Sequence, residues 1–189
     1  MKKIFLFLAI GFIATTGFTQ SKKTLEMLQT IEGQWIIDEQ GLLTYKQVIE
    51  VPGASDSLLF QRANNFIKTN QSSNLLKEIY PEIYSISIQD TLNKVSSSFS
   101  SAVSAIFTLK IESKNSKARI TLTVIRLSVN FGGGNINTYD IKTIYPINTG
   151  SLTKNDHAKW FYSTHMASLK KMDDISNYIK GPKTDGANW

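Results

Sequence analysis

In the segment 99–111 the odd positions carry Phe99, Val103, Ala105, Phe107, Leu109 and Ile111. The even positions carry Ser100, Ser104, Thr108 and Lys110, with Ala102 and Ile106 as apolar exceptions. A period of two places the first set on one face of a strand and the second on the other. The spacing therefore predicts a long strand with one buried face and one mostly polar face. A hairpin turn is predicted at Lys114, Asn115 and Ser116. On the return strand Ile120, Leu122 and Val124 share one parity, and Ile125, Leu127, Val129 and Phe131 share the other. A β-bulge near Val124 and Ile125 reconciles the two. Further strands are predicted at 35–37 and 42–51, around a turn at 38–41, and at 84–89. The three glycines 132–134 break the chain before a last strand at 139–145, which Pro146 ends.

Two stretches change to helical spacing. Leu58, Leu59, Ala63, Phe66 and Ile67 form one stripe, with Gln61, Arg62, Asn64 and Asn65 outside it. This helix follows the strand-ending pair Pro52 and Gly53 and runs to about Asn70. Near the C-terminus Phe161, His165, Leu169, Met172, Ile175 and Ile179 make a second stripe, with Asn155 or Asp156 as its cap and Gly181-Pro182 as its stop. Residues 20–34 read as a short helix or loose lead-in. Residues 71–82 read as a polar connection in which Leu75 and Leu76 dip into the core.

Strand, helix, several antiparallel strands, helix is an α+β order. It predicts a curved antiparallel sheet with two helices packed on one face. The quoted pattern carries a resemblance. "YKQVIEVPG" as strand, "SDSLLFQRANNFI" as helix, a preceding tryptophan and turn, a meander and a closing helix resemble a family of secreted bacterial proteins. That family is a domain of unknown function with a TATA-binding-protein-like fold. The resemblance spans roughly residues 35–180, and its specific part is "VIEVPGASDSLLFQRANNFI", 48–67. It implies a fold and no activity, and it brings no catalytic residues.

The first residues alter the picture of where the chain goes. Lys2 and Lys3 precede an apolar run from 4 to 14, and Gly17 and Thr19 flank Phe18. This is the charge, apolar, small-x-small order of a secretion signal at 1–19. The run is about eleven residues, short of the roughly 20 that span a bilayer. The reading divides the chain into the signal, a lead-in at 20–34, one domain at 35–181 and a tail at 182–189. It predicts a bacterial protein of the periplasm or exterior, without a transmembrane segment after cleavage. The chain has no cysteine. That excludes disulfides, a thiolate nucleophile, a cysteine-ligated metal and a lipid anchor on a cleavage-site cysteine. Without residues 1–19 the formal charge falls from +6 to +4. This mild, dispersed excess fits a solvated surface.

Candidate chemistry is sparse. Ser55 stands at a strand-to-helix turn, where a hydrolase places its nucleophile. The elbow reads Gly-x-Ser-x-Gly, and here Ser57 replaces the second glycine. Ser55 is read instead as a helix cap, with Asp56 favouring the positive helix end. A base would have to be His157 or His165, the two histidines of the chain. Eight residues apart on one helix, they lie roughly 12 Å apart along its axis and cannot share a metal. His165 sits on the apolar stripe and is read as a hydrogen-bonded core residue, His157 as part of a solvated first turn. Asp173 and Asp174 point about 100° apart, and Glu78 and Glu82 flank Pro81; none makes a facing pair. The triple glycine lacks the Lys-Ser/Thr and helix of a phosphate loop. No cofactor is implied. Nucleic acid is not expected, because the polar strand face offers hydroxyls and only Lys110 as a cation.

These observations lead to an exported, non-catalytic binding or interaction module. Its candidate contact residues are Ser100, Ser104, Thr108 and Lys110 on the polar sheet face, and its partner an envelope protein or small ligand. Two alternatives stand beside it. One is a hydrolase using Ser55 with a histidine. The other is a small-ligand carrier with a cavity between helices and sheet.

Overall fold

In a computed structural model of the chain, residues 22–70, 77–98, 101–144 and 154–181 are described. The ordered elements are α1 (Lys22–Gln29), β1 (Ile36–Ile37), β2 (Leu43–Glu50), α2 (Asp56–Asn70), β3 (Lys77–Tyr80), β4 (Ser85–Ser98), β5 (Ser101–Lys114), β6 (Lys117–Asn130), β7 (Ile136–Asp140) and α3 (Lys154–Lys180). Among the described residues the strands form one antiparallel sheet in the order β1-β2-β6-β5-β4-β3. The far half of β6 pairs with β7 on the same side that its near half gives to β2.

Strand β6 can serve two neighbours because it is bulged. Phe107 opposes Val124 and Ile106 opposes Arg126, so Ile125 is the extra residue. The bulge resets the parity: Ala118, Ile120, Leu122 and Val124 are buried before it, Leu127 and Val129 after it. The parity change in the sequence is this bulge. Opposite, Val103, Ala105, Phe107, Leu109 and Ile111 of β5 are fully buried. With Leu43, Tyr45 and Ile49 of β2 they meet Leu59, Ala63, Phe66 and Ile67 of α2 and Phe161, Met172, Ile175 and Ile179 of α3 in one apolar cluster. At roughly 2 kcal/mol for each fully buried large side chain, this layer is the main source of stability.

The helices lie on one face, as the sequence predicts, and α1 joins them through contacts with α3. Several boundaries differ from the sequence reading. Strand β4 extends to Ser98 because β5 supplies a pairing partner along its length, with a bulge between Leu92 and Ser96. The connection at 71–82 contains β3 and a 3₁₀ turn, Pro81–Ile83. The last strand comes early, at Ile136–Asp140, and the chain leaves the sheet at Ile141. The Asp140 side chain causes this exit by accepting from Lys142 N at 3.1 Å. Leu58, placed on the buried stripe, lies on its exposed rim. Helix α3 starts at Lys154, so Asn155 and Asp156 belong to its first turn rather than to its cap. The signal segment, Leu75, Leu76, Ser100 and the tail 182–189 lie outside the described residues.

Candidate functional site: the open sheet face

The face of the sheet away from the helices is built by the register. Thr44, Thr123, Thr108 and Gln89 are successive Cα partners across β2, β6, β5 and β4. The adjacent row is Lys46, Thr121, Lys110 and Ser87, and the next Val48, Arg119, Glu112 and Ser85. Neighbouring members of a row stand about 4.8 Å apart, as strands do. The predicted residues Ser104, Thr108 and Lys110 are therefore on this face. Thr108 and Lys110 fall in adjacent rows, and Ser104 lies beyond the bulge, opposite Ser128. The Ser104 hydroxyl accepts from Lys94 N at 3.4 Å.

The threonine row is anchored at one end. Asp38 Oδ1 accepts from Gln40 N at 3.0 Å and Leu42 N at 2.9 Å, closing the predicted turn at 38–41. Its Oδ2 accepts from the Thr44 hydroxyl at 2.9 Å. Thr44 has one proton and gives it to Asp38, so at the 3.1 Å contact with Thr123 the donor is Thr123. Partial burial pushes the Asp38 carboxyl up, but these hydrogen bonds and Lys46 outweigh it and hold the group below its usual value. Glu112 organises the charges. Its Oε2 accepts from Arg119 Nε and Nη2 at 3.0 and 2.8 Å, and its Oε1 lies 2.9 Å from Lys110 Nζ. Burial raises its pKa, yet the two cations bring the net shift below the ordinary value. Sequence reasoning missed Thr44, Thr121, Thr123 and Arg119. The polar parity of β6 marks them, but only the register places them beside Thr108 and Lys110.

Ser55 does something else. Its hydroxyl accepts from Leu58 N at 3.2 Å, which is the cap predicted for α2. The turn before it, Pro52 then Gly53 at φ +80°, with Ala54 N bonded to Val51 O, has the type II pattern that requires glycine. Asp56 has a role the sequence did not disclose. Its Oδ1 accepts from Ser116 N at 3.1 Å, while the Ser116 hydroxyl donates to Ala54 O at 2.8 Å. Asn115 and Ser116 both have positive φ, as the tight β5–β6 hairpin demands. The start of α2 and the hairpin tip thus hold each other.

The histidines are committed to packing. His165 is fully buried; its Nδ1 lies 2.9 Å from Tyr45 Oη and its Nε2 3.4 Å from Gln34 Oε1. Burial pushes the Tyr45 phenol above its usual range, opposed by nearby Ser168, whose hydroxyl falls short of a well-formed hydrogen bond. His157 corrects the sequence reading of a solvated residue: it is buried, ringed by Tyr139 at 5.7 Å and Trp160 at 5.1 Å. The early β7 strand carries Tyr139 there. Burial lowers the pKa of both imidazoles, with Asp156 opposing the shift at His157. Among the described residues no three His, Asp or Glu side chains converge as a metal site, and no helix is long and apolar enough to cross a membrane.

The comparisons agree with this architecture. The family "Domain of unknown function (DUF4468) with TBP-like fold" matches residues 45–128. The search of curated proteins returns no match. Among solved structures, a TBP-like protein from Parabacteroides distasonis superposes with a TM-score of 0.63 at 13% identity, covering 76% of this chain and 96% of that one. A DUF4468 family protein from Bacteroides ovatus superposes with a TM-score of 0.58 at 14% identity, covering 81% of this chain and 94% of that one. The matched segment holds most of β2, all of α2 and most of the β4–β6 meander, including the Ser55 cap, the hairpin tip, and Thr108 and Thr123 of the threonine row. Residues 45–128 are similar to the DUF4468 family, and the structure around that segment has the TBP-like fold.

Proposed function

We propose that the protein is an exported, non-catalytic binding module that engages its partner through the open sheet face. The observation that carries this reading is the pair of rows Thr44-Thr123-Thr108-Gln89 and Lys46-Thr121-Lys110-Ser87. A face that only has to stay soluble is well served by long charged side chains. Thr44 is buried, and five of the seven other positions are hydroxyls or an amide. Short side chains lose little rotamer freedom on binding and offer both donors and acceptors.

The reading does not take duplex nucleic acid as the partner, because several cations of this face are already paired: Arg119 and Lys110 share Glu112, and Lys117 pairs with Glu50. It also draws support from Ser55, whose hydroxyl serves as a cap, and from His165, whose nitrogens face Tyr45 and Gln34. Export rests on the charge and apolar pattern of residues 1–19.

Affinity capture from the native envelope tests the reading. Wild type, a Thr108→Arg/Thr123→Arg double variant and a control variant Asp174→Arg on the helical side are compared. A specific partner held by wild type and the control, and lost by the double variant, is the expected result. Equal capture by all three contradicts it.

A further inference from the structure

A cleft of about 630 Å³ opens at the end of the sheet where the β5–β6 hairpin turns, within the size range of small-molecule sites. Ile83 and Tyr84 form an apolar wall beside the start of β4, Val48 stands across the cleft on β2, and Lys114, Lys117 and Arg119 bring cations between them. Val48 and Ile83 are the two most exposed apolar residues of this region, at 58% and 66%. Ser113 also lines the cleft; it is 3% exposed, and its hydroxyl has no hydrogen-bond partner. Ser85, next in the chain to Tyr84 and paired opposite Glu112, has a second buried hydroxyl without a partner. A buried hydroxyl left unpaired costs about 1–3 kcal/mol, so one that borders a cleft marks a place where a ligand atom is welcome. The wall is strained as well: Tyr84 has φ +47°, an unusual region for a bulky side chain, and is fixed by Ser113 N donating to its carbonyl at 3.0 Å.

The charges fix the sign of the ligand. Glu112 is taken by Lys110 and Arg119, Glu50 by Lys117, and Asp56 Oδ1 by Ser116 N. Among the described residues Lys114 makes no ion pair, which leaves the cleft an unbalanced cation. We propose that this cleft binds a small amphipathic anion, a carboxylate or phosphate on an apolar body. The body lies against Ile83 and Tyr84, the anionic group meets Lys114, with Arg119 beside it still paired to Glu112, and Ser113 supplies a hydrogen bond. The inference goes beyond the open-face reading and does not rest on it: Thr108 and Thr123 take no part.

The test is a titration of the protein followed by amide NMR, using 3-phenylpropionate and phenyl phosphate as the carboxylate and phosphate arms. Inorganic phosphate lacks the body and 3-phenylpropanol lacks the charge. At least one anion is expected to bind with a millimolar Kd, shifting the amides of Ser113, Lys114 and Arg119, with both controls about tenfold weaker. Lys114→Gln/Arg119→Gln should weaken binding about fivefold and Ser113→Ala about threefold. The exposed pair tolerates substitution, so the double variant remains informative should Ser113→Ala not fold. The proposal is overturned by no binding of either anion at about 10 mM, by shifts centred elsewhere, by a control binding as well as the anions, or by unchanged affinity in the folded variants.

Discussion

Tyr45 Oη and His165 Nδ1 meet 2.9 Å apart in the core, joining β2 to α3 across the layer between sheet and helix. Gln34 Oε1 faces the other ring nitrogen at 3.4 Å and can only accept, so the proton sits on Nε2 and Tyr45 donates to Nδ1. Tyr45→Phe removes that donor and leaves a buried acceptor unpaired. A loss of about 1–3 kcal/mol is expected, read as a lower urea midpoint with an unchanged slope. An unchanged midpoint contradicts the assignment.

The same burial makes stability depend on pH. Both folded-state imidazoles have pKa values below the ordinary 6.5, to which they return on unfolding. The unfolded chain therefore binds more protons in this window, and stability rises with pH. The contribution is complete above 6.5 and is lost as pH falls from there through the lowered folded values. Tm should drop between pH 7.5 and 5.5, and the drop should shrink in His157→Gln/His165→Gln. A Tm that is flat or rises toward pH 5.5 is the opposing result.

The two first residues of the α2 start separate cleanly. Ser55→Ala loses one cap, about 1 kcal/mol. Asp56→Ala loses the first-turn carboxylate and the acceptor of Ser116 N, so a larger cost of about 2 kcal/mol is expected. Chemical denaturation of both variants checks the order. If Asp56→Ala proves the milder, the tie to the hairpin tip contributes nothing.

At the other end of the helical layer, Arg62 Nη1 donates to the carbonyls of Ile179 and Lys180 at 2.9 and 3.0 Å, capping α3 from α2. Gly181 allows it: its φ is +79°, and a Cβ there would fall 2.9 Å from Arg62 Cζ. Gly181→Ala should cost about 1 kcal/mol for the backbone alone and more for the displaced guanidinium. Thermal unfolding reads it. A Gly181→Ala variant as stable as wild type would mean that Arg62 moves aside freely.

Much of this arrangement is legible in the chain because period-two and period-3.6 patterns report burial directly. The change of parity at Val124 and Ile125 located a bulge, and Ser55 before an apolar helical stripe located a cap. What the pattern could not carry is pairing. Residues Ile136–Asp140 form a strand although only Tyr139 is even half-buried, so they have no amphipathic signature. The apparent alternation of Tyr139, Ile141 and Thr143 misled because Asp140 turns the chain between them. His157 read as solvated for the same reason, since its cover comes from β7. Within the open face Ser104, Thr108 and Lys110 were visible as one strand's polar side. Their partners Thr123, Thr121 and Thr44 became neighbours only through the register.

The central claim is that the threonine-rich face, and not the helical side, meets the partner. Site-specific photo-crosslinking in the native envelope tests it most directly, with a benzophenone side chain placed at Thr108 or at Asp174 on the exposed side of α3. The account predicts a discrete adduct from Thr108, one that unlabelled protein competes away, and none from Asp174. An adduct from Asp174 alone, or from neither position, would contradict it.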